Sequence, residues 1–206
     1  NNLSLTNRNF QANSNYTLDG NISVTGGNIT FSNPVIINVS GAGPTLSTTT
    51  SGNIAVNNTV NSTIDGANSL TLTSAGTVTL GGNLGNTQRL ANFTVSAAGA
   101  GTPITLNNGA IFTTGNQTYN NAIALSSSTA IDLAGALTLS NIAGGSLNLG
   151  INNASNLTFA NTISSGGGTG GFIKRGSGTL TLSSTTNNYS GSTQVLGGTL
   201  TLGASN

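Results

Sequence analysis

The chain has 206 residues and a net charge of +1, and its only charged side chains are Arg8, Arg89, Lys174, Arg175, Asp19, Asp65 and Asp132. That is 3% charge, where an ordinary soluble domain carries about 25%. With no His, Cys, Glu, Met or Trp, disulfides, thiol chemistry and histidine catalysis are excluded. The near-zero charge gives no electrostatic basis for binding nucleic acid or an anionic membrane.

Asn, Ser, Thr and Gly number 32, 25, 33 and 30, a bias that fits either a disordered polar tract or a repeat protein with stacked side chains. Disorder goes with low hydrophobicity and high net charge. Here 35% of residues are hydrophobic and they are regularly spaced, so stacked repeats are expected. No stretch reaches the roughly 18 apolar residues needed to cross a bilayer, so this segment inserts in no membrane. Asn1-Asn-Leu-Ser-Leu5 has no basic, apolar leader; any export signal is expected to have been removed or to lie outside the chain, which reads as a mature protein or a piece of a longer one.

In chain order, apolar residues recur as pairs around one small or polar residue: Ile22/Val24, Ile29/Phe31, Ile54/Val56, Leu70/Leu72, Val78/Leu80, Phe93/Val95, Ile104/Leu106, Ile123/Leu125, Ile131/Leu133, Leu137/Leu139, Leu147/Leu149, Leu157/Phe159, Leu180/Leu182 and Leu200/Leu202. In the C-terminal segment Gln194/Leu196 is read as a further alternating strand between the last two pairs. Period two puts each pair on one face of a strand and the middle residue on the other. The runs are three to five residues long and close on Gly, Asn or Ser. No helical period survives, and Thr, Asn and Gly are poor helix formers. The inward set is predicted to include Leu70, Leu72, Val78, Leu80, Leu137, Leu139, Leu147, Leu149, Leu180 and Leu182.

A longer repeat overlies the short one. Ile64-Asp-Gly-Ala-Asn-Ser-Leu-Thr-Leu72 matches Ile131-Asp-Leu-Ala-Gly-Ala-Leu-Thr-Leu139 at an offset of 67 residues. Ile54 matches Ile123, Val78 matches Leu147 and Ile111 matches Leu180 at 69, and Tyr119 matches Tyr189 at 70. Fixed self-similarity marks stacked repeats. An offset near 69 fits three coils of about 23 residues, so residues 1–206 are expected to form one continuous, all-β, parallel right-handed β-solenoid of roughly nine coils, about 43 Å long at ~4.8 Å per coil. Inward Leu, Ile and Val would fill a thin core, outward Thr and Ser would stack in rows, Asn would form amide ladders, and Gly would supply positive φ at corners. Pro34, Pro44 and Pro103 fall at breaks, where a missing donor costs little.

Residues 172–202 carry Ile173, Lys174, Gly176-Ser-Gly178-Thr-Leu-Thr-Leu182, Asn187-Asn-Tyr-Ser-Gly191, Thr193-Gln-Val195 and Gly197-Gly-Thr-Leu200. This segment resembles the autotransporter-associated β-strand repeat of bacterial type V secretion passengers, departing at Ser183-Ser184, where that family often has Gly. Gly76-Thr-Val-Thr-Leu-Gly-Gly-Asn-Leu-Gly85 and Thr113-Thr-Gly-Asn-Gln-Thr-Tyr-Asn-Asn-Ala122 are more loosely similar to filamentous-haemagglutinin-like adhesins. The resemblance implies a secreted or surface-anchored parallel β-solenoid at the bacterial cell surface. It names no ligand, because such passengers include adhesins, spacers carrying an enzyme, and fibres.

Chemistry is sparse. Carbohydrate-cleaving solenoids need clustered carboxylates. Asp65 and Asp132 are expected as corner residues about 14 Å apart, and Asp19 lies in the turn Leu18-Asp-Gly-Asn21. No catalytic, cofactor-binding or metal residues are expected: Ser and Thr have no histidine base, and no calcium repeat is present. Lys174 and Arg175 read as a solvated basic pair, and Tyr119 and Tyr189 as turn-packing residues. The pairs Thr71/Thr73, Thr77/Thr79, Thr179/Thr181 and Thr199/Thr201 do not fall on every expected coil, which argues against an ice-binding array. Twelve Asn-x-Ser/Thr triplets occur, against about nine from composition alone. The expected role is a non-enzymatic extracellular fibre or adhesin stalk that stacks end to end with itself or with a flanking solenoid, and that meets a host or matrix surface; the alternative is a glycan- or ice-binding module.

Overall fold

The computed structural model describes residues 2–39, 42–101, 103–107 and 109–203. All of its regular structure is β, and every strand pair is parallel. The chain winds through three faces in turn and completes about nine turns. The first face carries Leu3–Thr6, Ile22–Thr25, Thr45–Thr49, Leu70–Ser74, Phe93–Ala97, Gln117–Tyr119 and Leu137–Thr138, and a second block of Leu157–Phe159, Thr179–Leu182 and Thr199–Leu202 takes it over. The second face is a single sheet of eight strands, from Phe10–Ala12 to Ile163–Ser164.

The period-two pattern explains the interior. On the second face Ile29, Ile54, Val78, Ile104, Ile123, Ile142 and Ile163 stand in register on consecutive coils, all buried. Each such side chain contributes about 1.5–3 kcal/mol by leaving water. Near the first coils Phe10, Tyr16 and Phe31 form a cluster with centroids 5.3–5.5 Å apart. Of the ten residues expected inward, eight are buried, and Leu137 and Leu147 are half-buried against the core.

Three sequence assignments change. Leu147 precedes its strand, which runs Leu149–Asn153 with Leu149 and Ile151 inward. In the last coil the strand is Thr193–Val195, and Thr193 and Val195 pair with the inward Phe172 and Lys174; the Gln194/Leu196 pairing is therefore one residue out of register. The equal coil of 23 residues also fails. Leu3 pairs with Ile22, 19 residues on, and Leu46 with Leu72, 26 on. Leu70 and Leu137 lie three coils apart on one face, as do Ile54 and Ile123. Val78 instead leads to Ile142, and Ile111 to Lys174. Tyr119 pairs on the first face, whereas Tyr189 follows the bridge of Asn188 to the second.

The third face is split. Tyr16–Leu18, Val35–Ile37 and Val60–Ser62 form one short sheet; Ala110–Phe112, Thr129–Leu133, Leu149–Asn153, Phe172–Arg175 and Thr193–Val195 form another. Between them the ladder shrinks to single bridges through Leu84, with a further bridge from Leu90 to Thr113. The local sequence Gly81-Gly-Asn-Leu-Gly-Asn-Thr-Gln-Arg89 is poor in β-formers.

Corners are made locally. Each proline immediately precedes a strand and offers its carbonyl to the neighbouring coil: Tyr16, Thr71 and Val78 N–H donate to Pro34, Pro44 and Pro103 at 3.0, 3.1 and 2.9 Å. After the first face the corner needs left-handed backbone, supplied by Asn7, Gly26 and then Thr50 and Ser51, with φ of 53°, 70°, 57° and 60°. A β-branched residue there is strained.

Candidate functional site

Three of the seven charged residues meet at the break in the third face. Arg89 donates through Nη1 to Asp132 Oδ1 at 2.7 Å and to the Thr113 carbonyl at 3.2 Å. Its guanidinium stands 5.6 Å from the Phe112 ring centre, within cation–π range. Its own backbone N–H donates to Asp65 Oδ1 at 2.7 Å. Asn152 Nδ2 donates to the other oxygen of Asp132. Asp132 therefore sits within a strand, not at a corner, and pairs with Phe112 and Asn152 of adjacent coils; Asp65 is in a turn. Asp65 and Asp132 are both engaged by Arg89, which joins loops and strands across the gap. This is a clasp, with no water-activating carboxylate pair.

Lys174 is the largest departure from expectation. It is fully buried, and it stands in the inward ladder Ile111, Ile131, Ile151, Lys174, Val195. Its Nζ donates to the carbonyls of Gly176 at 3.0 Å, Gly197 at 3.2 Å and Arg175. The alkyl stem continues the isoleucine row while the ammonium collects corner carbonyls from two coils. Burial pushes its pKa below the usual lysine value. The glycines of the motif make room: a Cβ on Gly198 would come within 2.9 Å of Nζ.

Tyr119 is fully buried, and its hydroxyl donates to Gln117 Oε1 at 2.8 Å; burial drives its pKa upward. It cannot stack against a sugar. Tyr189 is half-buried beside Phe172, ring centroids 6.2 Å apart, with its hydroxyl 2.9 Å from Thr193 Oγ1. Among the described residues, no cluster of three or more His, Cys, Asp or Glu could hold a metal ion.

The outward threonines form a better-ordered row than their sequence pairs show. Thr45, Thr71, Thr94, Thr118 and Thr138 align on five consecutive coils. The adjacent row is mixed, with Thr73 between Ser47 and Ser96. A two-wide threonine array arises where Thr179 and Thr181 pair with Thr199 and Thr201.

Asparagine ladders account for many of the Asn-x-Ser/Thr triplets. Asn21 and Thr45 N–H donate to Oδ1 of Asn2 and Asn21 at 3.0 and 2.8 Å; Asn53 N–H to Asn28 at 2.8 Å; Asn116 and Ala136 N–H to Asn92 and Asn116 at 2.8 and 2.7 Å; Thr179 N–H to Asn156 at 2.9 Å. Each Asn holds a corner, the next residue points inward and the Ser or Thr outward. The triplet follows from fold geometry. Ser40 of the Asn38-Val-Ser40 triplet lies outside the described residues.

These features define a parallel β-solenoid whose polar side chains serve its own coils. Residues 172–202 match the family model of the passenger-associated-transport-repeat. That match and the solenoid together fit an autotransporter passenger repeat protein, a class of structural repeat that is typically non-enzymatic and implies a secreted or surface location. The curated proteins and the solved structures give no match to the chain.

Proposed function

We propose that this chain is a non-enzymatic structural solenoid of the bacterial surface, a length of fibre or of adhesin stalk, whose coils continue end to end into a second copy or into flanking coils. The observation that carries this reading is the last coil. Thr193–Val195 is exposed along its whole length. Val195, Leu196 and Leu202 are 49%, 62% and 59% exposed. The outer edge of Thr199–Leu202 offers backbone groups for one more parallel strand, with no charge or proline to blunt it. Leu3 is likewise exposed in the first strand. Stacking of one end on the other is head-to-tail, which extends into a filament, and the near-zero net charge opposes it little.

Sedimentation velocity and negative-stain imaging of the 206-residue chain test the self-assembling form. Rods of constant width that lengthen with concentration are expected, and V195K/L202K should disperse them. A wild-type chain that stays monomeric at high concentration overturns self-assembly and assigns the open edge to flanking coils.

A further inference from the structure

The split third face carries one recess that the solenoid does not need. Its floor is Ala130, Gly150 and Ile173, outward residues in register on three consecutive strands. Ser128 and Asn148 line one side and Arg175 the other. The recess is open to solvent and offers about 170 Å³, enough for a single sugar ring and too little for a larger ligand.

We propose that this recess binds a carboxylate-bearing sugar unit. Its polar lining includes the Arg175 guanidinium and the Asn148 side-chain amide. The Arg175 guanidinium lies over Gly150, where an added Cβ would come within 2.8 Å of Nη1. Arg175 has no acidic partner, since Arg89–Asp132 is the only ion pair among the described residues. Asn148 is fixed in backbone and side chain: its backbone N–H donates to Ser128 Oγ at 3.1 Å, and its Oδ1 accepts from Gly171 N–H at 2.9 Å. Its Nδ2 is left without a partner among the described residues. A guanidinium fork across the recess from an amide N–H₂ offers a carboxylate donors on two sides. The nearest carboxylate of the chain, Asp132, is already held by Arg89 and Asn152. The rest of the floor, Ala130 and Ile173, suits the C–H face of a pyranose, and Gly150, which has no side chain, leaves room for the guanidinium above it.

The inference rests on the reading that the chain is displayed outside the cell, but it is tested separately. A chain that forms rods and binds no sugar refutes only the recess; one that binds sugar and stays monomeric refutes only self-assembly. Amide-resolved NMR titration of the 206-residue chain uses tetragalacturonate, sialyllactose, neutral lactose and acetate. Shifts confined to residues 128–130, 148–150 and 173–175 are expected with an acidic sugar, at an affinity of about 1 mM. The two acidic probes separate a chain-internal uronate from a terminal sialic acid. R175Q should weaken binding about tenfold, and G150V should block it by displacing the guanidinium from its place over residue 150. No response to either acidic sugar, an equal response to lactose or acetate, or undiminished binding by both variants overturns the proposal.

Discussion

The break at Arg89 and the terminal repeat at Lys174 solve the same problem in opposite ways. Both join neighbouring coils beside a face reduced to isolated bridges, the third face at Leu84 and the second at Asn188. At the break, a half-exposed arginine reaches outside the sheet to Asp132 and the face of Phe112. In the repeat, a lysine turns inward, takes an isoleucine's place and is satisfied by carbonyl oxygens. The outer clasp works in water and is screened by salt. The inner one works without water, so its cost on removal is larger, because the carbonyls it serves stay buried.

The largest expected effect is therefore at Lys174. K174A leaves a cavity and unsatisfied carbonyls and should destabilise by about 4 kcal/mol, with hydrogen exchange rising first at residues 193–202. Equal exchange across the molecule would break the contrast. K174M separates shape from charge, and pH sharpens it. Between the depressed folded pKa of Lys174 and the ordinary 10.5, the unfolded chain holds a proton that the folded chain has lost, so stability should rise with pH through that window. Tyr119, raised above its ordinary 10.0 by burial, acts in reverse above that value, so denaturant titrations between about pH 7 and 10 give the clean reading. K174M should abolish the rise.

L139A removes a purely apolar contact between the two regions, where Leu139 borders a small gap with Phe159, Ile163 and Phe172. It should cost about 3 kcal/mol with no pH signature. R89A should cost about 1 kcal/mol, given that Arg89 is 36% exposed, and 1 M salt should shrink that difference; a cost that matches K174A and ignores salt would erase the distinction. Smallest is T50G, expected to stabilise by roughly 1 kcal/mol by relieving the left-handed φ at a β-branched residue. Thermal melts of the variant and the wild type check it, and the sign of the shift decides.

The solenoid itself was legible because period two survives in pairs such as Leu70/Leu72 and Ile123/Leu125, whose inward direction needs only a strand. Lys174 was not legible. A lysine reads as a surface charge, and its partners are backbone carbonyls, which every residue carries and no composition reveals. The Arg89–Asp132 clasp joins residues 43 apart in sequence, across coils whose unequal lengths no single offset describes. That same inequality misaligned Val78 with Leu147 and Tyr119 with Tyr189. Short strands such as Tyr16–Leu18 and Gln117–Tyr119 show no such apolar pair, because their inward positions include a tyrosine or a glutamine. The recess at Arg175 needed the register of three strands, which places Gly150 beneath the guanidinium.

The backbone hydrogen bonds that join each coil to the next run along the rod. Tension applied between its ends would load those bonds directly, and each coil holds only its neighbours. Such a rod should yield stepwise, peeling from whichever end is less well held. A released coil of 19–26 residues pays out roughly 65–90 Å of slack at about 3.4 Å per residue, against a rise of only ~4.8 Å per coil when wound. A short stack of coils is thus an extensible tether that lengthens many-fold before it breaks, and the buried ammonium at Lys174 sets how firmly its last turns are latched.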